Sequence, residues 1–193
     1  MVAGHFGFAA LVKSRERRTP LWALMLACQW LDVVFVPLFV AHIESLVPVA
    51  GTKGGYGENV IYADYTHSLL GALVLSALFG ALGALVWEKR SGVVLGAVVF
   101  SHWLLDLLVH RGDLPLLPGN AGNLPRLGFG LWRAPGVALA VELALVVGGA
   151  YAYWRAASQT ASSGGRGAGA ANLAGALLLV FGIVTVTLSA LGQ

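Results

Sequence analysis

Five stretches of this chain, residues 21–41, 67–87, 92–110, 134–154 and 172–191, are apolar and nearly free of charge. Each is about twenty residues long, the length at which a helix rising about 1.5 Å per residue crosses the hydrocarbon core of a bilayer. The chain has 193 residues, 58% of them hydrophobic and 11% charged, with a mean hydropathy of +0.78. A soluble domain runs nearer a quarter charged. The fold expected is therefore an all-α integral membrane protein with five transmembrane helices. Residues 2–11 add a sixth apolar piece, too short to span, that reads as a re-entrant or interfacial helix. One transmembrane domain is expected over 1–193, with a bundle at 1–155, a Gly/Ser/Ala-rich linker at 156–171 and an accessory fifth span at 172–191.

The basic residues orient the spans. Lys13, Arg15, Arg17 and Arg18 follow the first apolar piece rather than precede it, so no cleaved signal is expected. With that run inside, Lys89, Arg90, Arg155 and Arg166 also face the cytoplasm, against Lys53, Arg111, Arg126 and Arg133 outside. Eight against four favours this topology and puts both long loops, 42–66 and 111–133, on the outer side. The net charge of +3 is then a topology signal. No basic stripe interleaved with aromatics is present, so nucleic-acid binding is not expected. Cys28 is the only cysteine, which rules out an intrachain disulfide.

Ionisable groups inside spans are costly and face a bundle interior, a cavity or a partner. Asp32 lies midway along the first span, His67 opens the second, and Glu142 sits about eight residues into the fourth. His102, Asp106 and His110 stand at i, i+4 and i+8 in the third, which places them on one helix face. From the cytoplasmic end, Asp32, His102 and His5 reach roughly 17, 15 and 12 Å, while His67 comes out nearer the outer mouth.

Together His5, Asp32, His67, His102 and Asp106 offer three imidazoles and two carboxylates, a set suited to zinc, or to manganese or iron. A carboxylate bridge would allow two ions. The alternative for the His–Asp stripe is a hydrogen-bonded pair tying helices together. Glu142 reads as a partner for a ligating histidine, a general base or a helix-pairing acid. Asp64 reads as a residue behind the ligands or a helix cap, and His110 as one that orients water or ligand. Arg111 reads as a phosphate or carboxylate contact, or an interfacial anchor. His42 and Glu44 read as loop residues. There is no Gly-x-Ser-x-Gly elbow, no His-Glu-x-x-His and no Walker-type loop.

Several short motifs then align with a known pattern. Gly4-His5, the Gln-Trp-Leu-Asp ending at Asp32, Tyr-Thr-His-Ser around His67 and Ser-His-Trp-Leu-Leu-Asp around His102 and Asp106 resemble the bacterial membrane-bound metal-dependent hydrolase family. His-Arg-Gly-Asp-Leu-Pro-Leu from His110, Gly-Phe-Gly-Leu-Trp from Gly128 and Val141-Glu142 resemble one branch of it. The order His, Asp, His, His-xxx-Asp also resembles the helical zinc-dependent phospholipase C family. The resemblance covers roughly residues 4–155. It departs from the family where Pro-Asp-hydrophobic-Asp is common and this chain has only Asp32, and where an arginine often precedes Thr-His-Ser.

The resemblance implies ligand roles for His5, Asp32, His67, His102 and Asp106, with Asp106 as the bridge. It implies a location in the bacterial inner membrane. The expected activity is hydrolysis of a phosphoester in a lipid or lipid-linked substrate, at a site opening to the outer side. The alternatives are a zinc-dependent lipid amide hydrolase, kept open by Ser68 and Ser101, and a transporter or sensor of a metal ion or proton.

Overall fold

The structure is a computed structural model and describes residues 1–163 and 169–191. Seven helices dominate it: α1 (Val2–Arg15), α2 (Leu21–Cys28), α3 (Trp30–Val40), α4 (Leu69–Val86), α5 (Lys89–Val109), α6 (Pro135–Ser163) and α7 (Gly169–Leu191). Between α3 and α4 lies a two-stranded antiparallel sheet, β1 (Ser45–Pro48) with β2 (Asn59–Tyr62), in register from Ser45 opposite Tyr62 to Pro48 opposite Asn59. Most of the chain is helical, as composition and apolar run length require.

Among the described residues, α4, α5 and α6 are long and apolar enough to cross a membrane. The first expected span is broken: α2 and α3 meet at Gln29 with a bend of 48°, the shape of a broken span or of a re-entrant loop, and only if the pair is one span does it add a fourth helix of crossing length. Within α7 the apolar piece Asn172–Leu188 is shorter. Helix α6 runs on to Ser163, so residues 156–163, expected as linker, are helical; residues 164–168 of that linker lie outside the described residues.

Helix α1 does not lie on the surface. Ala3, Gly4, His5, Gly7, Ala9 and Ala10 are buried, and the helix packs along α6, with α2 and α7 also in contact. Gly7 is what permits this. A Cβ there would overlap the Leu145 carbonyl of α6, so the two backbones approach closely only because none is present. Helices α4 and α5 form a hairpin with a similar contact, where a Cβ on Gly92 would sit 2.5 Å from the Gly80 carbonyl.

The two long loops share one end of the bundle. Arg126 grips the Asp64 carboxylate through Nη1 and Nη2 at 2.6 and 2.7 Å. Arg111 donates to the Gly57 and Trp132 carbonyls at 2.8 and 3.0 Å. Leu69 and Leu70, whose amides begin α4 and have no partner within the helix, donate to the Pro115 and Leu116 carbonyls of the second loop. At the opposite end, Glu16 pairs with Arg90 and Arg18 with Glu88, joining the α1–α2 link to α5.

Candidate metal centre

Three helices, α1, α3 and α5, and the turn before α4 bring their polar residues to a single point under the loops. His102 and Asp106 are one turn apart on α5, so their side chains share a face. Nε2 of His102 lies 3.1 Å from Oδ2 of Asp106. His67 comes from the turn just before α4, not from the helix itself, and its Nε2 is 3.4 Å from Nε2 of His102. Trp103, beside His102 on α5, holds this turn in place by donating from Nε1 to the His67 carbonyl at 2.9 Å. Helix α4 begins only at Leu69, so a height counted along a helix that starts at His67 does not describe where this imidazole lies.

Asp32 completes the group from α3. Its Oδ1 is 3.5 Å from Nε2 of His67 and 3.7 Å from Nε2 of His102. From α1, His5 stacks on the His102 ring with centroids 3.8 Å apart, and its Nε2 reaches Oδ1 of Asp106 at 3.2 Å. His110 presents Nε2 to Oδ2 of Asp106 at 3.7 Å. All four imidazoles therefore turn Nε2 towards the Asp106 carboxylate, whose two oxygens face different histidines.

The far side of each ring explains this orientation. Nδ1 of His102 donates to the Cys28 carbonyl at 2.7 Å, and Cys28 is the last residue of α2, next to the break. Nδ1 of His110 donates to Oδ1 of Asp113 at 2.7 Å, and Oδ2 of Asp113 accepts the Ile61 amide of β2. Nδ1 of His67 lies 2.8 Å from Thr66 Oγ1, which contacts the buried Glu44 carboxylate. Nδ1 of His5 is buried without a hydrogen-bond partner. A carbonyl or carboxylate can only accept, so in the neutral rings of His102 and His110 the proton sits on Nδ1 and Nε2 is a lone pair.

Electron-rich atoms thus face one another: Nε2 of His102 meets Oδ2 of Asp106, Nε2 of His67 and Oδ1 of Asp32. A cation is required among them. A proton serves one such contact, whereas a divalent ion serves several at once. Five of the six separations among these four atoms, 3.1 to 3.7 Å, match the spacing of ligands held about 2.0–2.1 Å from one ion at near-tetrahedral angles. The groups His5, His102, Asp106 and Asp32, His67, His102 each could hold a metal ion. Buried histidines with Nδ1 anchored and Nε2 converging are the usual support of such a site.

A cavity of about 180 Å³ opens onto this cluster. Its other walls are apolar: Val2 and Phe35, with Leu46 and Ile61 from the two strands and Trp132 from the second loop. Asp32, with 39% of its side chain exposed, is the acidic group facing it most openly.

The remaining expected residues have other contacts. Glu142 accepts the Gly4 amide at 3.1 Å and the Tyr56 hydroxyl at 2.8 Å. It therefore fixes the start of α1, one residue from His5, and no hydrogen bond joins it to a histidine ring among the described residues. Burial and the Glu142 charge push the Tyr56 phenol above its ordinary pKa. Asp64 is committed to Arg126, and Arg111 to two backbone carbonyls. Ser68 caps α4, accepting the Gly71 amide, while Ser101 donates to the Val98 carbonyl. His42 is exposed at the end of α3 with a φ of 58°. Glu44 lies in the loop before β1, as read, and is buried behind His67. Asp113 and Thr66 were not singled out as partners. The i, i+3 spacing of His110 and Asp113 was a usable signal, while Glu44 and Thr66, 22 positions apart, left none.

Compared with family models, curated proteins and solved structures, the chain matches none of them.

Proposed function

We propose that this protein is a membrane-embedded, metal-dependent hydrolase acting on a phosphoester of a lipid or lipid-linked substrate. The observation that carries the reading is the bare Nε2 of His102, 3.1 Å from Asp106 and facing two further ligand atoms, with its proton committed to Cys28. Zinc suits a set of imidazoles and carboxylates, with manganese and iron as the other candidates. Asp32, His67, His102 and Asp106 would hold the ion, with His5 completing the site or serving a second ion. A divalent ion in this position supplies Lewis acidity, lowering the pKa of a coordinated water towards about 7 and stabilising charge on phosphoryl oxygens.

The chain's own residues do the rest. Asp113 keeps His110 in the tautomer that presents Nε2 inward, where it can accept a proton from water beside Asp106. Glu142 holds α1, and so His5, against the cluster. Apolar walls above a charged floor favour an amphiphile, with the polar group at the cluster and the acyl portion along Phe35, Leu46 and Ile61. In this reading α2–α3, α4, α5, α6 and α7 are five crossings of a bacterial inner membrane. The basic α1–α2 link is then cytoplasmic and the site opens outward. The resemblance of its motifs to the membrane-bound metal-dependent hydrolases supports the same reaction class.

The test is metal analysis by mass spectrometry on purified wild type and Asp106→Ala, joined to a chelator-controlled screen of lipid phosphates and amides. Stoichiometric metal, lost in the variant, with chelator-sensitive phosphate release is the expected result. Metal absent from the wild type, or retained by Asp106→Ala, refutes the site. Metal retained without hydrolysis of any substrate moves the protein to the transport or sensing class.

A further inference from the structure

The tautomers of His102 and His110 follow from partners that can only accept. That of His67 does not, because a threonine hydroxyl either donates or accepts. The group behind the threonine decides. Glu44 Oε1 accepts the Tyr65 and Thr66 amides at 2.8 and 2.9 Å, and Thr66 Oγ1 lies 2.9 Å from Oε2 and 3.1 Å from Oε1. Glu44 and His67 are both buried, so water does not substitute for any member of this chain.

A carboxylate offers acceptors only. Thr66 O–H therefore donates to Glu44, and its oxygen is left to accept from Nδ1–H of His67, 2.8 Å away. Nε2 of His67 is then a bare lone pair aimed at Asp32, His102 and Asp106. We propose that Glu44, acting through Thr66, is a positioning residue that sets the His67 tautomer and thereby makes His67 competent to bind a metal ion. This inference rests on the metal reading above.

The geometry makes one substitution unusually informative. In Glu44→Gln the two backbone amides at Oε1 hold the carboxamide oxygen in place, so its NH₂ takes the position of Oε2. That NH₂ donates to Thr66 Oγ1 and, because the two backbone amides already occupy both lone pairs of the oxygen at the Oε1 position, the Thr66 O–H turns to donate to Nδ1 of His67. The proton of His67 then moves to Nε2, pointing into the site where a metal would bind. Size and backbone hydrogen bonds are retained, so the fold is preserved while the direction of the chain reverses.

The experiment uses full-length protein in detergent, with ¹⁵N-labelled histidine NMR at alkaline pH and zinc titration on the same samples. The His67 signals are assigned by comparison with His67→Ala. Expected results are Nδ1–H in the wild type and Nε2–H in Glu44→Gln, with zinc affinity reduced about 10–100-fold. Thr66→Ser, which keeps the hydroxyl, should match the wild type in both, while Thr66→Val should weaken zinc binding. Nδ1–H retained in Glu44→Gln with unchanged affinity, or Nε2–H in the wild type, overturns the proposal. If the wild type binds no zinc, the metal reading fails, and the zinc-free tautomer comparison still decides the role of Glu44.

Discussion

His102 and Asp106 meet at 3.1 Å between Nε2 and Oδ2, although the proton of His102 is held on its far side by the Cys28 carbonyl. A lone pair and a carboxylate oxygen in a buried setting repel unless a cation lies between them. Replacing Asp106 with Asn is therefore the sharpest perturbation short of truncation. It keeps the shape but removes the charge and one acceptor. Loss of a partner behind the ligands costs roughly 10–100-fold in metal affinity, and loss of this carboxylate should cost at least as much. Competition with a chelator of known zinc affinity measures it.

Helix α1 carries His5 and reaches the site only because Gly7 lets it approach α6. Gly7→Ala places a methyl against the Leu145 carbonyl, a rigid backbone group that cannot swing aside. Overpacking of this kind costs about 1–3 kcal/mol. The expected outcome is a lowered Tm in detergent, with α1 displaced and His5 no longer 3.2 Å from Asp106. A cysteine pair placed across α1 and α6 should then cross-link less efficiently than in the Gly7 protein.

Arg126 and Asp64 staple the two loops that cover the cavity. Their two short hydrogen bonds are partly exposed, with side chains about a fifth accessible, so the gain is well below that of a buried pair. Arg126→Ala should destabilise the protein by about 1–2 kcal/mol. A double-mutant cycle with Asp64→Asn should show strong coupling, because each substitution removes the same contact. Thermal unfolding of the four proteins measures both quantities.

Asp113 links the cover to the cluster, accepting from His110 and from the Ile61 amide. Burial alone would raise its pKa. The hydrogen bond from His110, the His110 charge and the Ile61 amide outweigh that and hold it below the ordinary carboxylate value. A carboxyl with a depressed pKa in the folded state adds stability above its unfolded value. That stability is lost as pH falls below about 4. The Trp132 indole rests 4.6 Å from the His110 ring, so its fluorescence should report the change. Asp113→Asn should remove this acid transition, with Trp132→Phe identifying the signal.

Much of the centre was legible from spacing alone. His102, Asp106 and His110 fall on one stripe because helix geometry sets which side chains share a face, whatever surrounds the helix. The apolar runs likewise foretold helices long and apolar enough to cross a membrane, which α4, α5 and α6 are. The expected bounds failed where the backbone leaves the helix. The first span breaks at Gln29, and that break places the Cys28 carbonyl, at the end of α2, where His102 uses it. His67 sits in a turn, so a height counted along a helix does not describe where it lies.

What only the tertiary structure decided is which groups stand behind the ligands. Glu44 and Thr66 are 22 positions apart, and Glu142 reaches Gly4 across 138. No local periodicity encodes such contacts, because they depend on the path of the loops and on how closely the helices pack. Which side chains share a helix face was written in the local pattern of the chain. Their orientation was set by hydrogen bonds between distant segments, which exist only once packing has excluded water from them.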